Sequence, residues 1–514
     1  MINRYISAIL TRFKELRPTL ALFGMVFLYL LAIALRRGTY GGEDALSLGE
    51  IIAFTLLPLL AGWWSRDRVL LLGGLLVASM VPFQKTVALV YVLAVLGMLP
   101  RLGSACVRAR LRVSPIFRAW CAFLVYLLLL WLLRLGDTTD IWSLPAYFAS
   151  ALAIPTLYIL LFQGLEWSRE ELLALRRMLL TLLSAQAAVV LLYPLLIGHA
   201  SLYLAGFNGL FKGFNLFLGL GVSLPYADPD WNRGTLVDAH QLGFLLAILF
   251  AWVLLSALQR RSFPLLLLAV ALLYLFGVTE TTHAVPSLLV AASIAVALLL
   301  LSRFAVRMTT LTFTALLLGT LLPIVLAVMI YAGDTWFAHT NKALLYRNTL
   351  TYLYDNPLDA LFGTGAGSFG SRVANKRLTD GLYKLEYPFP SVIGARTAQE
   401  YETVLKQAQK GIAGATAQVQ VSGLVAQAAE FGLLGNLLLL FFLGTVFRER
   451  LRATNGDGVT EQTRNIALVM FTFVLISGSL CFRQYLEYPQ IMAFACLLLL
   501  LPSVNNYSRF SVQK

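Results

Sequence analysis

The chain has 514 residues, of which 59% are hydrophobic and only 13% are charged, whereas an ordinary soluble domain contains about 45 to 50% apolar residues. This composition excludes a soluble globular fold and favours a membrane protein. The formal net charge of +14 comes from basic residues scattered over short segments between apolar runs. Basic residues distributed in this way set the orientation of a protein in the membrane and bind anionic lipid head groups. They do not indicate a nucleic-acid partner.

Apolar runs recur along almost the whole chain. Because about 20 helical residues cross the hydrocarbon core of a bilayer, we predict an all-α polytopic membrane protein of about 14 transmembrane helices. The range is 12 to 14 because the second and third runs are short. The first run is interpreted as a retained helix, since further spans follow at once. The predicted spans are 20–35, 50–64, 69–82, 86–100, 119–134, 143–163, 178–197, 235–258, 263–278, 285–302, 308–332, 422–446, 465–482 and 490–503.

Basic residues predict the orientation of these spans. If the N-terminus is cytoplasmic, the inward segments hold most of the 40 lysines and arginines, as the positive-inside rule requires. Both termini are then cytoplasmic, and the large loop before the twelfth helix is extracytoplasmic. The chain divides into N-terminal transmembrane helices (1–200), transmembrane helices with outward Arg and His motifs (201–332), the loop (333–421) and C-terminal transmembrane helices (422–514).

Three local signals accompany this topology. Ser168 and Glu171 have the spacing of a capping box, which predicts a helix that begins at the cytoplasmic surface. Arg134 ends an apolar run and is predicted to be an interface anchor that snorkels. The four cysteines have no spacing for a zinc site, so they are predicted to be packing residues: Cys106, Cys121, Cys481 and Cys496.

The extracytoplasmic loop is too rich in aromatic residues to be disordered, and long loops in compact folds are usually functional or disordered. Asn341 to Tyr354 has helical composition, and Arg347, Thr351 and Tyr354 would share one face of that helix. Asn356 would end it, because a residue before proline is disfavoured in the α region. This loop is therefore the predicted place of function.

A glycine-rich turn follows, with glycines at Gly363, Gly365 and Gly367. Alternate glycines let the backbone turn sharply and approach another group closely. Such a turn either presents backbone N–H groups to a phosphate or is purely structural, and the sequence allows both interpretations.

The order of these motifs resembles the O-antigen polymerase and ligase superfamily. The resemblance covers about residues 230 to 440, and the first 200 residues are similar only as a string of helices. Its elements are Arg347, the short aromatic helix, Asn356-Pro357, LFGTGAGSF at 361–369, AEFGLLG at 429–435, RGTLVDAHQLG at 233–243 and the turn at 279–284.

The resemblance implies a membrane glycosyltransferase without metal or cofactor, in the inner membrane of a bacterium with its long loop in the periplasm. Its substrate would be a glycan linked through pyrophosphate to a polyprenol such as undecaprenol. Its partners would be that lipid-linked glycan, membrane lipids, and a chain-length regulator or other polysaccharide-assembly membrane protein. Nucleic acid would not be a partner.

Pyrophosphate requires cationic donors, and arginine offers a rigid multidentate fork. The predicted pyrophosphate ligands are Arg233 and Arg347, followed by Arg372 and Arg483. The predicted catalytic residues are the titratable outward side chains nearest the matched motifs: His240, His283, Glu280 and Glu430.

Departures from the family pattern bear on whether the chain is a polymerase or a ligase. Ligase relatives place a His-Asn pair shortly before the glutamate, where this chain has Val421-Ser422. This favours a polymerase of O-antigen or exopolysaccharide repeats over a ligase that transfers glycan to lipid A core or protein. A flippase for lipid-linked oligosaccharides and an envelope-assembly scaffold stay open. A transporter would show similar halves, midplane charges or broken helices.

Overall fold

In the computed structural model the protein is built from α-helices. Among the described residues, six helices are long and apolar enough to cross a membrane, and seven shorter helices are also apolar. This is the architecture of a multi-pass α-helical membrane protein. The described residues are 20–36, 47–64, 67–82, 84–196, 210, 236, 239–279, 281, 284–301, 341–369, 423–452, 459–480 and 487–501.

Each predicted span corresponds to a described helix, except the span at 308–332, which lies outside the described residues. A π-helical stretch at Phe148–Leu152 joins two of the helices. The helices are α1 (Leu20–Arg36), α2 (Leu48–Trp64), α3 (Arg68–Ala78), α4 (Gln84–Met98), α5 (Ala105–Val113), α6 (Pro115–Leu133), α7 (Ser143–Tyr147), α8 (Ala153–Gly164), α9 (Arg169–Leu196), α10 (Ala239–Arg260), α11 (Phe263–Val278), α12 (Val285–Leu301), α13 (Asn341–Asp355), α14 (Pro357–Phe362), α15 (Gly423–Arg452), α16 (Val459–Ser479) and α17 (Pro489–Leu500).

The start of α9 confirms the predicted capping box. The Ser168 N–H donates to Glu171 Oε2 at 2.7 Å, and the Glu171 N–H donates to Ser168 Oγ at 3.1 Å. This reciprocal pair satisfies two of the orphan donors at a helix start. The packing role predicted for the cysteines holds for Cys496, which is buried, but is wrong for Cys106, which is exposed on the short basic helix α5. Cys121 is half-buried, and Cys481 lies outside the described residues.

Contacts between connecting segments define one end of the helix bundle, here called the basic end. Arg68 Nη1 donates to the Glu166 carbonyl at 2.8 Å, and Arg110 forms an ion pair with the Glu166 side chain. Arg450 Nη2 donates to the Leu499 carbonyl at 2.8 Å. Segments that the predicted topology places on the cytoplasmic side therefore lie together.

The opposite end, here called the loop end, is defined in the same way. The Leu424 N–H donates to the Leu480 carbonyl at 3.1 Å, which joins the start of α15 to the end of α16. Gln490 Nε2 lies 3.4 Å from the Val81 carbonyl, which joins the start of α17 to the turn after α3. The segments predicted to be extracytoplasmic thus share this end.

Large apolar side chains on α6 and α15 remain exposed over the length of these helices, and Leu133 is the extreme case at 82% exposure. Exposed apolar stripes on long apolar helices face lipid in a membrane protein, because lipid tails solvate them. The inner faces of the helices pack into one apolar core. Within it α15 packs along α6, and α14 packs against α15, which places the loop segment at the lipid-facing pair α6 and α15.

Candidate functional site

Helix α15 is interrupted at Gly432, whose backbone has φ +61° and ψ −172°. In a regular helix each carbonyl accepts the N–H four residues later, so an interruption deprives the preceding carbonyls of their partners. Asn436 Nδ2 donates to the Gln427 carbonyl at 2.9 Å. The Tyr126 hydroxyl lies 2.5 Å from the Phe362 carbonyl and 3.1 Å from the Phe431 carbonyl. Side chains thus replace part of the lost helical bonding.

The glycine-rich turn supplies two further donors to carbonyls at the break. The Thr364 N–H donates to the Ala429 carbonyl at 2.9 Å, and the Gly365 N–H donates to the Glu430 carbonyl at 3.0 Å. Gly363 makes this approach possible because a Cβ there would lie 2.4 Å from the Glu430 carbonyl oxygen, and its φ is +84°. The turn therefore docks into the break in α15 through its backbone.

The Glu430 side chain fixes the far end of the same turn. Its Oε2 accepts the Gly367 N–H at 2.6 Å, and its Oε1 accepts the Phe369 N–H at 2.9 Å. Both oxygens act as acceptors, which is the arrangement of an ionised carboxylate, and the short distances are those of charge-assisted bonds. The side chain is only 1% exposed. We call this arrangement the Glu430 clamp, formed by Glu430, Gly367 and Phe369.

The turn between α6 and α7 covers the glycine-rich turn from the other side. The Thr138 hydroxyl donates to the Thr364 carbonyl at 2.5 Å. A Cβ at Gly365 would lie 2.4 Å from Thr139 Cγ2, and one at Gly367 would lie 2.5 Å from the Ser143 carbonyl oxygen. The glycines are thus needed for close packing. The backbone N–H groups at 364, 365, 367 and 369 donate to acceptors within the protein. These four groups therefore have a structural role and are not directed to a phosphate.

A second ionic contact anchors α13 and α14 to the bundle. Arg134 Nη2 lies 2.7 Å from Asp359 Oδ1, and the Tyr352 hydroxyl donates to Asp359 Oδ2 at 2.6 Å. Asp359 is 1% exposed. The snorkelling role predicted for Arg134 is therefore wrong, because its guanidinium group is directed to a buried carboxylate. The Tyr352 ring also packs on Phe369, with ring centroids 4.8 Å apart, which links the two anchors.

The Tyr352 hydroxyl is expected to stabilise the protein through its bond to Asp359. Tyr352→Phe is expected to lower the free energy of unfolding by about 2 kcal/mol, because a hydrogen bond to a buried charged group is lost while the ring packing is kept. Equilibrium unfolding in mixed micelles measures this change. The matched control is Tyr354→Phe on the same helix, since Tyr354 is 87% exposed. Equal losses in both variants would contradict the anchoring role.

The predicted site residues fall into three groups. Glu430 and the three glycines are brought together in the docked turn. Arg347 lies on the exposed face of α13 with Thr351 and Tyr354, and His240 is buried at the second position of α10. The other predicted residues lie outside the described part of the chain: Arg233, Glu280, His283, Arg372 and Arg483.

Comparison with known proteins gave no match: no family model, no curated protein and no solved structure matches the chain. Within the described part of the chain, no group of three or more His, Cys, Asp and Glu side chains is arranged to hold a metal ion. The candidate site is an anchored loop segment at one end of a membrane bundle.

Proposed function

We propose that the chain is a membrane glycosyltransferase that polymerises polyprenyl-pyrophosphate-linked oligosaccharide repeat units, of the O-antigen or exopolysaccharide type, at the outer face of the bacterial cytoplasmic membrane. The observation that carries the proposal is the anchoring of segment 341–369. The Glu430 clamp and the Arg134–Asp359 pair fasten it to the bundle at the loop end, and it holds Arg347 exposed there.

This arrangement suits transfer from a lipid pyrophosphate. In such a reaction an acceptor hydroxyl forms a new bond to the anomeric carbon, the bond from that carbon to the phosphate oxygen breaks, and the pyrophosphate leaves with its charge. A guanidinium group stabilises the leaving group by multidentate hydrogen bonds. Holding this group on an anchored helix favours catalysis, because positioned groups reduce the entropic barrier. Arg347 is the described residue that fits this role.

The hydroxyl proton must pass to a base in this scheme. Both oxygens of Glu430 already accept backbone N–H groups, and the side chain is buried. We therefore give Glu430 a positioning role in the proposal, although the sequence predicts it as catalytic. His240 is the described candidate for the base, and Glu280 and His283 are the candidates outside the described residues. An imidazole suits the task because its ordinary pKa lies near neutrality.

One observation favours transport as a second candidate. Broken membrane helices often form substrate or ion sites in transporters, through unpaired backbone carbonyls, and α15 is interrupted at Gly432. Here, however, the carbonyls of Ala429 and Glu430 accept N–H groups of the loop segment. The break thus serves to dock the loop, which supports an enzyme with a fixed cover over one face better than a transporter.

The deciding experiment uses purified protein in lipid nanodiscs and the polyprenyl-pyrophosphate-linked repeat unit extracted from the source cells. We expect chain growth, visible as a ladder of products after electrophoresis. Transfer only to added lipid A core or protein acceptor would identify a ligase instead. Movement of the lipid-linked glycan across the membrane without any new glycosidic bond would overturn the enzyme proposal in favour of transport.

Substitution of Arg347 should impair polymer formation in cells. Arg347→Ala is expected to reduce polymer formation at least about 100-fold, the scale expected when one positioned charge donor is removed from a transition state. Arg347→Lys should restore only part of it, because an ammonium group lacks the planar fork. Both variants should remain in the membrane, since the side chain is exposed. The control is Arg448→Ala, an exposed arginine at the basic end. Normal chain length in Arg347→Ala would refute the catalytic contact.

A further inference from the structure

Four buried polar side chains stand at the loop end of four helices. Gln241 is the third residue of α10, Ser287 the third of α12, Ser479 the last of α16 and Gln490 the second of α17. Each is 0% exposed. Each also has a side-chain polar atom without a hydrogen-bond partner in the described part of the protein, and in Gln241 this is true of both Oε1 and Nε2.

These helices form one packed group. Helix α10 packs against α12, α16 and α17, helix α12 packs against α16, and α16 packs against α17. Each of the four side chains lies within one turn of the loop end of its helix, and we call the four together the polar layer. The bond from the Leu424 N–H to the Leu480 carbonyl joins the end of α16 to the start of α15, the helix that carries the Glu430 clamp.

A layer of this kind requires an explanation. Buried polar groups in folded proteins are nearly always hydrogen-bonded, and in a membrane protein a polar group without a partner is especially unfavourable. Apolar side chains would fill the same space more stably if it were only core. The four side chains are two carboxamides and two hydroxyls, which offer both donors and acceptors without charge. This chemistry matches sugar hydroxyl groups, whereas a pyrophosphate would require cations.

We propose that the polar layer formed by Gln241, Ser287, Ser479 and Gln490 is a subsite that binds hydroxyl groups of the glycan carried by the lipid-linked substrate. Gln241 is its main determinant, because its carboxamide donates and accepts at once. This inference rests on the proposed function and names a specificity element of it. The pyrophosphate contact through Arg347 and the glycan contact through Gln241 are then separate tasks of separate elements.

The test measures binding to purified protein in nanodiscs with two probes. One is the polyprenyl-pyrophosphate-linked oligosaccharide extracted from the source cells, and the other is polyprenyl pyrophosphate without sugar. Gln241→Met is expected to weaken binding of the glycan-bearing lipid at least about tenfold, as for a site that loses a hydrogen-bonding partner for a hydroxyl. Binding of the sugar-free lipid should not change. Gln259→Met, on the same helix at the basic end, should bind both lipids as the unmodified protein does.

A second measurement separates a binding role from a structural one. If the Gln241 side chain has no partner in the unliganded protein, Gln241→Met should leave the melting temperature unchanged or raise it. A lowered melting temperature with unchanged glycan binding would mean that buried water completes the layer, and the subsite would be overturned. Ser287→Ala provides a milder variant of the same layer, with a loss of several-fold in binding of the glycan-bearing lipid expected.

The outcomes also separate this inference from the proposed function. If the unmodified protein binds neither lipid, the proposed function fails and the subsite fails with it. If the unmodified protein binds the glycan-bearing lipid and Gln241→Met and Ser287→Ala bind it equally well, the subsite alone is overturned. Weaker binding of the sugar-free lipid by Gln241→Met would likewise exclude a role specific to the glycan.

Discussion

Glu430→Ala is expected to lower the free energy of unfolding by about 3 kcal/mol or more. The substitution leaves the buried N–H groups of Gly367 and Phe369 without an acceptor, and each such orphan costs about 1 to 3 kcal/mol. Because the clamp also fastens segment 341–369, polymer formation should be lost together with stability. Equilibrium unfolding in mixed micelles and the nanodisc polymerisation assay measure the two effects on the same preparations.

Glu430→Gln refines this test. The amide keeps the shape of the side chain and one acceptor oxygen. Its NH₂ group, however, is only a donor, so one backbone N–H of the clamp loses its acceptor. We therefore expect an intermediate loss of about 1 to 2 kcal/mol. The matched control is Glu449→Ala at the basic end of the same helix, where the side chain is 30% exposed and a change within about 0.5 kcal/mol is expected. If Glu430→Ala were as stable as Glu449→Ala, the clamp would not hold the loop.

The parts of the fold that depend on local sequence were predictable. A transmembrane helix is indicated by its own apolar run, and the start of α9 by Ser168 and Glu171, which are only three residues apart. In both cases the residues that determine the structure are neighbours in the chain. The end of α13 before Pro357 follows from the same kind of local restriction.

The anchors of the candidate site were not predictable in this way. The glycine spacing indicates a tight turn, but its partner Glu430 lies 63 residues beyond Gly367, and nothing local to the turn identifies it. The position of Arg134 at the end of an apolar run predicts a snorkelling residue, because such residues occur there. Its partner Asp359 follows a proline in a distant loop. Pairings of this kind depend on tertiary packing rather than on sequence periodicity.

The break in α15 shows the same limit within one helix. Gly432, Gly435 and Gly444 all lie in the apolar sequence of α15, and no local signal predicts which of them interrupts the helix. Only Gly432 among the three has a positive φ. It differs because segment 361–363 packs against it, with the Gly363 nitrogen 2.4 Å from where a Cβ would stand.

Substitutions of Gly432 and Gly444 by alanine should therefore have opposite effects on stability. Gly432→Ala is expected to lower the free energy of unfolding by about 2 to 6 kcal/mol. The backbone conformation at Gly432, with φ +61° and ψ −172°, is essentially restricted to glycine and costs another residue about 1 to 3 kcal/mol. A Cβ would also overlap the backbone of Phe362 and Gly363, an overpacking cost of about 1 to 3 kcal/mol. Gly444→Ala has nothing within 4 Å of the added Cβ and should raise stability by up to about 1 kcal/mol through helix propensity.

The effects of substitutions at Glu430 and Gly432 on stability should also be coupled. If Gly432→Ala straightens α15, the carbonyls of Ala429 and Glu430 regain helical partners and release the turn, which is the state that Glu430→Ala also favours. The double variant should then lose less stability than the sum of the single variants, by about 1 kcal/mol or more. Additive losses would show that the clamp and the helix break hold the loop independently. A subadditive loss would instead mean that the break in α15 exists to receive the loop.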